Sequence, residues 1–230
     1  LAINKTSGTV TVTWQRLTVS TTGDQDAATA ARIAQWASDP WYQSEINRVV
    51  GYTAVDITRN YNGDSLMGAF VNDAIYNDLN NDATDENDAD IVFNNAGGLR
   101  ADILTNGQTP FTLTHGILYS VLPFGNATVV GDMTGDKIVD LLNQSATLFK
   151  GALQVSGIRY NFYRYSDALP GPQPWAWGAY GIQVKNRTTG AWEPLQIDHT
   201  YRIATNEFLA PAGQDGYSAF KYVTNISYWG

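Results

Sequence analysis

The chain has 230 residues, 43% of them hydrophobic and 12% aromatic, enough to bury a sizeable core as one large domain or two small ones. Lys plus Arg total 14 against 22 Asp plus Glu, a formal charge of -8. That balance argues against DNA or RNA polymers as partners but leaves room for a small phosphorylated ligand, which needs only one or two local cations. There are no cysteines, which excludes disulfides, cysteine-ligated zinc and thiol catalysis.

No run approaches the ~20 apolar residues of a membrane span. The opening LAINKTSGTVTVTW lacks a charged-then-apolar signal pattern and reads as the start of a mature or trimmed product. Alternating β-branched residues predict a strand over Gly8 to Val19. Asp24 or Asp26 is a candidate cap for a helix across AATAARIAQWAS; Pro40 stops it, and a short helix follows over Ser44 to Val50. The clearest helix is Asp64 to Leu79, with Asp64 suited to the N-cap. Leu66, Phe70 and Ala74 with Met67, Val71 and Ile75 give it one apolar stripe. The polar run Asn80 to Asp90 reads as a solvated connection, without the regular acidic spacing of a calcium loop.

The apolar run Ile91-Val92-Phe93 predicts a buried strand ending at Asn94, followed by a GGLR bend. A Pro-Phe-Gly-Asn turn, a strand over Ala127 to Met133 and a helix capped at Thr134 come next. Gly157 to Tyr165 reads as a strand with Ile158, Tyr160 and Phe162 on one face. ALPGPQPWAWG is a surface excursion, and a hairpin about Arg187 to Gly190 and a strand over Thr200 to Thr205 complete the count. Strands and helices mix without regular alternation. This predicts an α/β (α+β) fold, a layered mixed sheet with flanking helices, rather than a barrel.

Reaction chemistry is missing. The two histidines, His115 and His199, have no partner at metal-ligand spacing, and there is no Gly-x-Ser-x-Gly elbow or P-loop lysine pattern. Binding chemistry is present. Gly97 and Gly98 let backbone amides approach a ligand, and Arg100 adds a planar fork for phosphate or hydroxyl oxygens; a tight turn with a surface arginine is the alternative. In LPFGN, Phe124 reads as a stacking platform with the Asn126 amide beside it, or else as a loop phenylalanine folded onto the core. In NEFLAPAGQDGY, Asp215 is placed to accept from a sugar diol, or simply makes an Asp-Gly turn. Three strand-end loops with an aromatic, a glycine bend or one polar group each, and no base among them, have the composition of a nucleoside or nucleotide pocket.

NNAGGLRADI, GDSLMGAFVNDAI, LPFGNATVVGDMTGDKIVDLL, LQVSGIRY and YRIATNEFLAPAGQDGY recur here as a set, and from Ala54 to Phe220 the chain resembles the C-terminal domain of the 5′-nucleotidase family. The resemblance implies a two-domain enzyme. An N-terminal metallophosphoesterase domain, on an absent segment or chain, would hold two divalent metal ions and perform hydrolysis, while this domain holds the nucleotide. Residues 1–53 would lead in from that domain, and 54–230 would form the nucleotide-binding domain. By the same resemblance Phe124 and Phe208 would sandwich the base, with Asn126 at its edge. Asn95, Gly98 and Arg100 would line ribose and phosphate, Asp215 would take the ribose hydroxyls, and Arg59 matches an arginine preceding the long helix.

One departure stands out: the family's F-L-A-x-G-G-D-G-Y is one residue longer here, with Gln214 in place of a glycine, which bears on where Phe208 lies relative to Asp215. The implied reaction is hydrolysis of a nucleoside 5′-monophosphate such as AMP, with no catalytic residue, metal or cofactor in this chain, which alone would be inactive. The alternatives are a stand-alone nucleotide-binding module and a family phosphoesterase with another substrate, such as a cyclic nucleotide. Five Asn-x-Ser/Thr sequons, at Asn4, Asn126, Asn143, Asn186 and Asn225, point to a secreted protein, with the periplasm as the alternative. Asn126 is expected to stay bare, because a glycan there would fill the base pocket, and Asn186 is the expected exposed site.

Overall fold

The structure, a computed structural model, describes residues 2–3, 10–11, 23, 25–81, 87–164 and 177–229. It divides into two compact units, Leu1–Glu45 and Ile46–Gly230. In the first, strand β1 (Ala2–Ile3) pairs antiparallel with β2 (Val10–Thr11). Apart from β2, the strand predicted over Gly8 to Val19 lies almost wholly outside the described residues, as do Asp24 and Asn4. Helix α1 (Ala27–Ala37) is capped by Asp26, whose carboxylate accepts from the Thr29 N–H at 2.7 Å.

Pro40 does more than stop this helix; it opens the next. Helix α2 (Pro40–Ile46) begins at the proline, which has no N–H to leave unpaired in a first turn. Asp39 Oδ1 accepts from the N–H groups of Trp41 and Tyr42 at 3.0 and 3.1 Å. The short helix therefore lies earlier than Ser44 to Val50. The β-branched Val49 and Val50 instead open strand β3 (Val49–Thr53).

Helix α3 (Leu66–Leu79) is capped by Ser65 and not by Asp64. The Ser65 hydroxyl accepts from the Gly68 N–H at 2.8 Å and donates to Gln154 Oε1 at 2.6 Å, while Asp64 accepts from the Ser65 N–H. The buried face runs through Met67, Gly68, Val71, Asn72 and Leu79, with Phe70 and Ile75 partly buried. Leu66 and Ala74 look outward, so four of the six predicted stripe residues reach the core.

Strand β4 (Ile91–Asn94) follows, then β5 (Phe111–Thr114), which pairs antiparallel with β3, and the short helix α4 (His115–Val121). Strand β6 (Thr128–Thr134) runs into helix α5 (Gly135–Ala146). Thr134 occupies the N-cap position, but its hydroxyl bonds the Asp136 carboxylate instead of a helix N–H. Strands β7 (Gln154–Ser156), β8 (Ile158–Arg164), β9 (Trp177–Lys185), β10 (Trp192–Pro194), β11 (Thr200–Asn206) and β12 (Thr224–Trp229) complete the chain. The predicted hairpin joins β9 to β10, its turn held by Asn186 Oδ1, which accepts from the N–H groups of Thr188 and Thr189. Most of the ALPGPQPWAWG excursion and the middle of the Asn80 to Asp90 connection lie outside the described residues.

The main sheet has five strands in the order β12-β6-β11-β4-β7; β4 and β11 are parallel and the other pairs antiparallel. A three-stranded sheet, β10-β9-β8, is antiparallel throughout. Ile91, Phe93, Val129, Met133 and Ile203 form one core with Ile138, Leu141 and Leu142 of α5 and with Ile158 and Val184 of the second sheet. The alternate residues Val92, Val130 and Ala204 pack on Leu79 of α3. Cover on both faces explains why β4 reads as an unbroken apolar run, since period-two alternation disappears when neither face meets water. The layered mixed architecture predicted from the sequence is what forms.

Candidate functional site

Strand direction decides which loops meet. Because β4 and β11 are parallel, the segments leaving Asn94 and Asn206 emerge at the same end of the sheet. Strand β6 is antiparallel to β11 with Thr128 opposite Asn206, so the LPFGN segment entering β6 arrives at that end as well. Strand β7 places Gln154 opposite Asn94, bringing the Leu148 to Leu153 segment alongside. The three loops singled out from the sequence thus share one edge with a fourth. Backbone bonds tie them: the Arg100 N–H donates to the Val121 carbonyl at 2.9 Å, and the Glu207 N–H to Ala127 at 3.0 Å.

The GGLR bend has an unexpected form. Ala96–Gly98 is a single 3-10 turn, and neither Gly97 nor Gly98 adopts a left-handed φ. The glycine at 98 is needed for space: a Cβ there would lie 2.8 Å from Asn95 Oδ1. At Gly97 the nearest neighbour of such a Cβ is 3.7 Å away.

Asn95 Nδ2 donates to Asp215 Oδ2 at 3.0 Å, which unites the first and third loops. The added residue before Asp215 has not carried the carboxylate away. Gly213, Asp215 and Gly216 all take left-handed φ, folding the longer loop back onto Asn95. Arg100 lies with its guanidinium carbon 5.7 Å from the centre of the Phe124 ring, and its Nη1 donates to the Gly97 carbonyl at 3.0 Å. This unites the first and second loops. Phe124 is 59% exposed, so it is no core phenylalanine, and Phe208 is 40% exposed. Gly98, Phe124 and Asn126 line one cavity of about 230 Å³ together with Asn94, Asn206, Leu122 and Ile75. That is large enough for a planar ring.

The remaining sites are placed differently. Phe208 is not among the residues lining that cavity. Asp215 faces a neighbouring hollow with Phe149, Lys150 and Tyr217. Arg59 is held by Asp102: its Nε and backbone N–H both donate to Oδ1, at 2.9 and 2.8 Å, and Nη1 reaches the Leu99 carbonyl at 3.2 Å. These bonds hold the Asp102 carboxyl below its ordinary range. Arg59 borders a hollow of about 310 Å³ with Tyr61, Ser65 and Ala96, on the flank of the 3-10 turn.

Several residues at the site carried no clear signal in the sequence. Asn72, Asn94 and Asn206 form a buried amide chain beneath the cavity. An amide inside the apolar face of α3 was the one available clue to Asn72. Phe149, 73% exposed, lies against Gly216 beside Asp215. A larger groove of about 1220 Å³ runs along Tyr76, Asp88, Asp90, Arg187 and His199. There Arg187 pairs with both Asp88 and Asp90, so these three charges are spent on one another. Among the described residues no three His, Cys, Asp or Glu side chains are grouped to hold a metal ion.

A sequence model of the family described as "5′-nucleotidase, C-terminal domain" matches residues 49–222. The chain belongs to the 5′-nucleotidase family and corresponds to its C-terminal domain. It is 34% identical to the cell wall protein Lmo0130 of Listeria monocytogenes, over 76% of this chain and 22% of that protein. It is 30% identical to the NAD 5′-nucleotidase of Haemophilus influenzae, over 70% of this chain and 24% of the relative. Among solved structures, the 5′-nucleotidase precursor of Thermus thermophilus superimposes with a TM-score of 0.66 at 27% identity, covering 87% of this chain and 37% of its own. The chain therefore spans under a quarter of the two curated relatives' length and little more than a third of that solved chain.

Proposed function

We propose that this chain is the substrate-binding domain of a 5′-nucleotidase that hydrolyses nucleoside 5′-monophosphates to nucleoside and phosphate. The observation that carries the reading is the meeting of three strand-end loops, with Arg100 against Phe124 and Asn95 bonded to Asp215. In this reading the base stacks on Phe124 with Phe208 as the opposing ring and Asn126 at its edge. Asp215 and Asn95 take the ribose hydroxyls. Gly98 lets the turn approach the ligand, and Arg100, with Arg59 on the flank, faces the phosphate. The names of the relatives from Haemophilus influenzae and Bacillus subtilis, the latter a trifunctional nucleotide phosphoesterase, support a nucleotide as ligand.

This chain's part in the proposal is to bind and orient the nucleotide, through Phe124, Asn95, Asp215 and Arg100 at the meeting of the three loops. Hydrolysis is assigned to two divalent metal ions on an N-terminal metallophosphoesterase domain, in the same or a separate chain, with residues 1–53 as the lead-in and 54–230 as the nucleotide-binding domain. The proposed location is extracellular or periplasmic; no described helix is long and apolar enough to cross a membrane.

Calorimetric titration with AMP and adenosine, in the native chain and in Phe124→Ala, tests this. Stacking on an aromatic platform is worth roughly 1–3 kcal/mol, so the variant should bind both ligands about tenfold more weakly. Unchanged affinity in the variant would rule out Phe124 as the platform.

A further inference from the structure

A backbone N–H can only donate, and that of Leu209 donates to Asn206 Oδ1 at 3.1 Å. This single hydrogen fixes the orientation of every amide beyond it, so no side-chain flip is left to choose. Asn206 Nδ2 spends both its hydrogens, on Asn94 Oδ1 at 2.8 Å and on Asn95 Oδ1 at 3.2 Å. Each of those asparagines must then present its nitrogen outward. Asn95 Nδ2 donates to Asp215, and that arm ends correctly on a carboxylate. Asn94 Nδ2 donates to Asn72 Oδ1 at 2.7 Å, and that arm ends on Asn72 Nδ2, which is buried and has no partner. Asn94 lines the Phe124 cavity, and the bond to Asn72 uses one of its two N–H hydrogens.

We infer that this cavity reads its ring by donating, and so selects an oxo-substituted base (a 6-oxopurine or a 4-oxopyrimidine) over its amino-substituted counterpart. The inference rests on the nucleotide reading above and adds the class of base to it. Unspent N–H hydrogens on buried amides cost more than half-used carbonyl oxygens, so the donors set the preference. An oxo group accepts from the second Asn94 hydrogen. An amino group would bring donor against donor at Asn94 and leave its second hydrogen unsatisfied. The apolar walls from Ile75, Val92 and Leu122 offer no acceptor. The Thr128 and Thr205 hydroxyls and the exposed Asn126 amide can each turn to suit either base, which leaves Asn94, oriented by its bonds to Asn206 and Asn72, to set the preference.

The test titrates the full chain with two matched pairs, IMP against AMP and UMP against CMP, in the native protein and in Phe124→Ala. The oxo member of each pair should bind about fivefold tighter or more, as expected for one buried donor left unsatisfied, and Phe124→Ala should weaken all four ligands together. If Phe124→Ala weakens all four but the oxo member does not win in both pairs, the donor reading is overturned and the stacking site stands. If none of the four binds, or none is weakened by Phe124→Ala, the cavity is not a base site and both readings fall. Asn94→Asp, which replaces the donating nitrogen by an oxygen, should narrow or reverse the preference where it folds; the native pairs decide the matter without it.

Discussion

Arg59 and Asp102 meet over two separate bonds to one oxygen: the backbone N–H and the Nε of Arg59 both donate to Asp102 Oδ1, at 2.8 and 2.9 Å. Asp102 thus orients the guanidinium as well as neutralising it. Because hydrogen bonds from Arg59 hold the Asp102 carboxyl below its ordinary range, the carboxylate form is favoured in the folded chain. Its contribution to stability is fully present above the unfolded carboxyl's pKa of about 4 and is lost as pH falls through the lowered folded value. Asp102→Asn should therefore lower the thermal midpoint at neutral pH, and the gap from the native chain should close on acidification below about pH 4. A gap that stays constant down to about pH 2 would mean that the pair contributes no charge-dependent stability.

The glycine pair gives a sharper contrast. A Cβ at residue 98 would lie 2.8 Å from Asn95 Oδ1, whereas one at residue 97 would meet nothing closer than 3.7 Å. Gly98→Ala should push Asn95 off both Asn206 and Asp215 and weaken AMP by about tenfold or more, the loss of one or two buried hydrogen bonds. Gly97→Ala should bind AMP within about twofold of the native chain, well inside the effect of a single lost hydrogen bond. Side-by-side calorimetry of the two variants checks this, and equal losses in both would point to the backbone rather than to Asn95.

Behind the third loop, the buried Tyr217 hydroxyl donates to the Gly151 carbonyl at 2.7 Å. Burial raises the Tyr217 pKa above the ordinary phenol value. A raised acid stays protonated in the folded chain after it has ionised in the unfolded one. Stability from this group is therefore complete below about pH 10 and falls as pH climbs further. Tyr217→Phe should cost about 1 kcal/mol at neutral pH by urea unfolding, and the variant should show a shallower loss of stability above about pH 10. An unchanged alkaline slope would assign that slope to other tyrosines, such as Tyr160, whose pKa burial also raises.

The fold was legible wherever local pattern and tertiary environment agreed. Helix α5 shows its buried Ile138, Leu141 and Leu142 at helical spacing, and β4 its unbroken apolar run. Errors arose where a choice between neighbours depended on distant partners. Ser65 takes the N-cap in place of Asp64 while also bonding Gln154, and that partner is not visible in the local sequence. Val49 and Val50 became strand rather than helix because β5 pairs with β3, Val49 lying opposite Thr114 and Val50 at the register shift that follows. At the site, Phe124, Gly98 and Asp215 could be singled out because turn residues and aromatics are conspicuous beside strand ends, whereas Asn95 entered only with the family resemblance. The chain of Asn72, Asn94 and Asn206 was not, because an amide reveals its role only through the amide it faces.

Arg100 separates the two halves of the proposed ligand. Its guanidinium carbon lies 5.7 Å from the Phe124 ring centre and its Nη1 is bonded to the Gly97 carbonyl, which holds the fork at the edge shared by the first two loops. A hydrogen bond to a charged group is worth about 1.5–3 kcal/mol, so Arg100→Ala should weaken AMP by about tenfold to a hundredfold. Adenosine, which lacks the phosphate, should lose only the smaller effect of an unsupported Phe124 ring, about 0.5–1 kcal/mol for an exposed cation over an aromatic face. Arg100→Lys keeps the charge but not the planar fork, and should restore AMP binding only in part. Parallel titration of both ligands against the three proteins reads the difference directly. Equal losses for AMP and adenosine in Arg100→Ala would show that the arginine supports the ring and does not touch the phosphate.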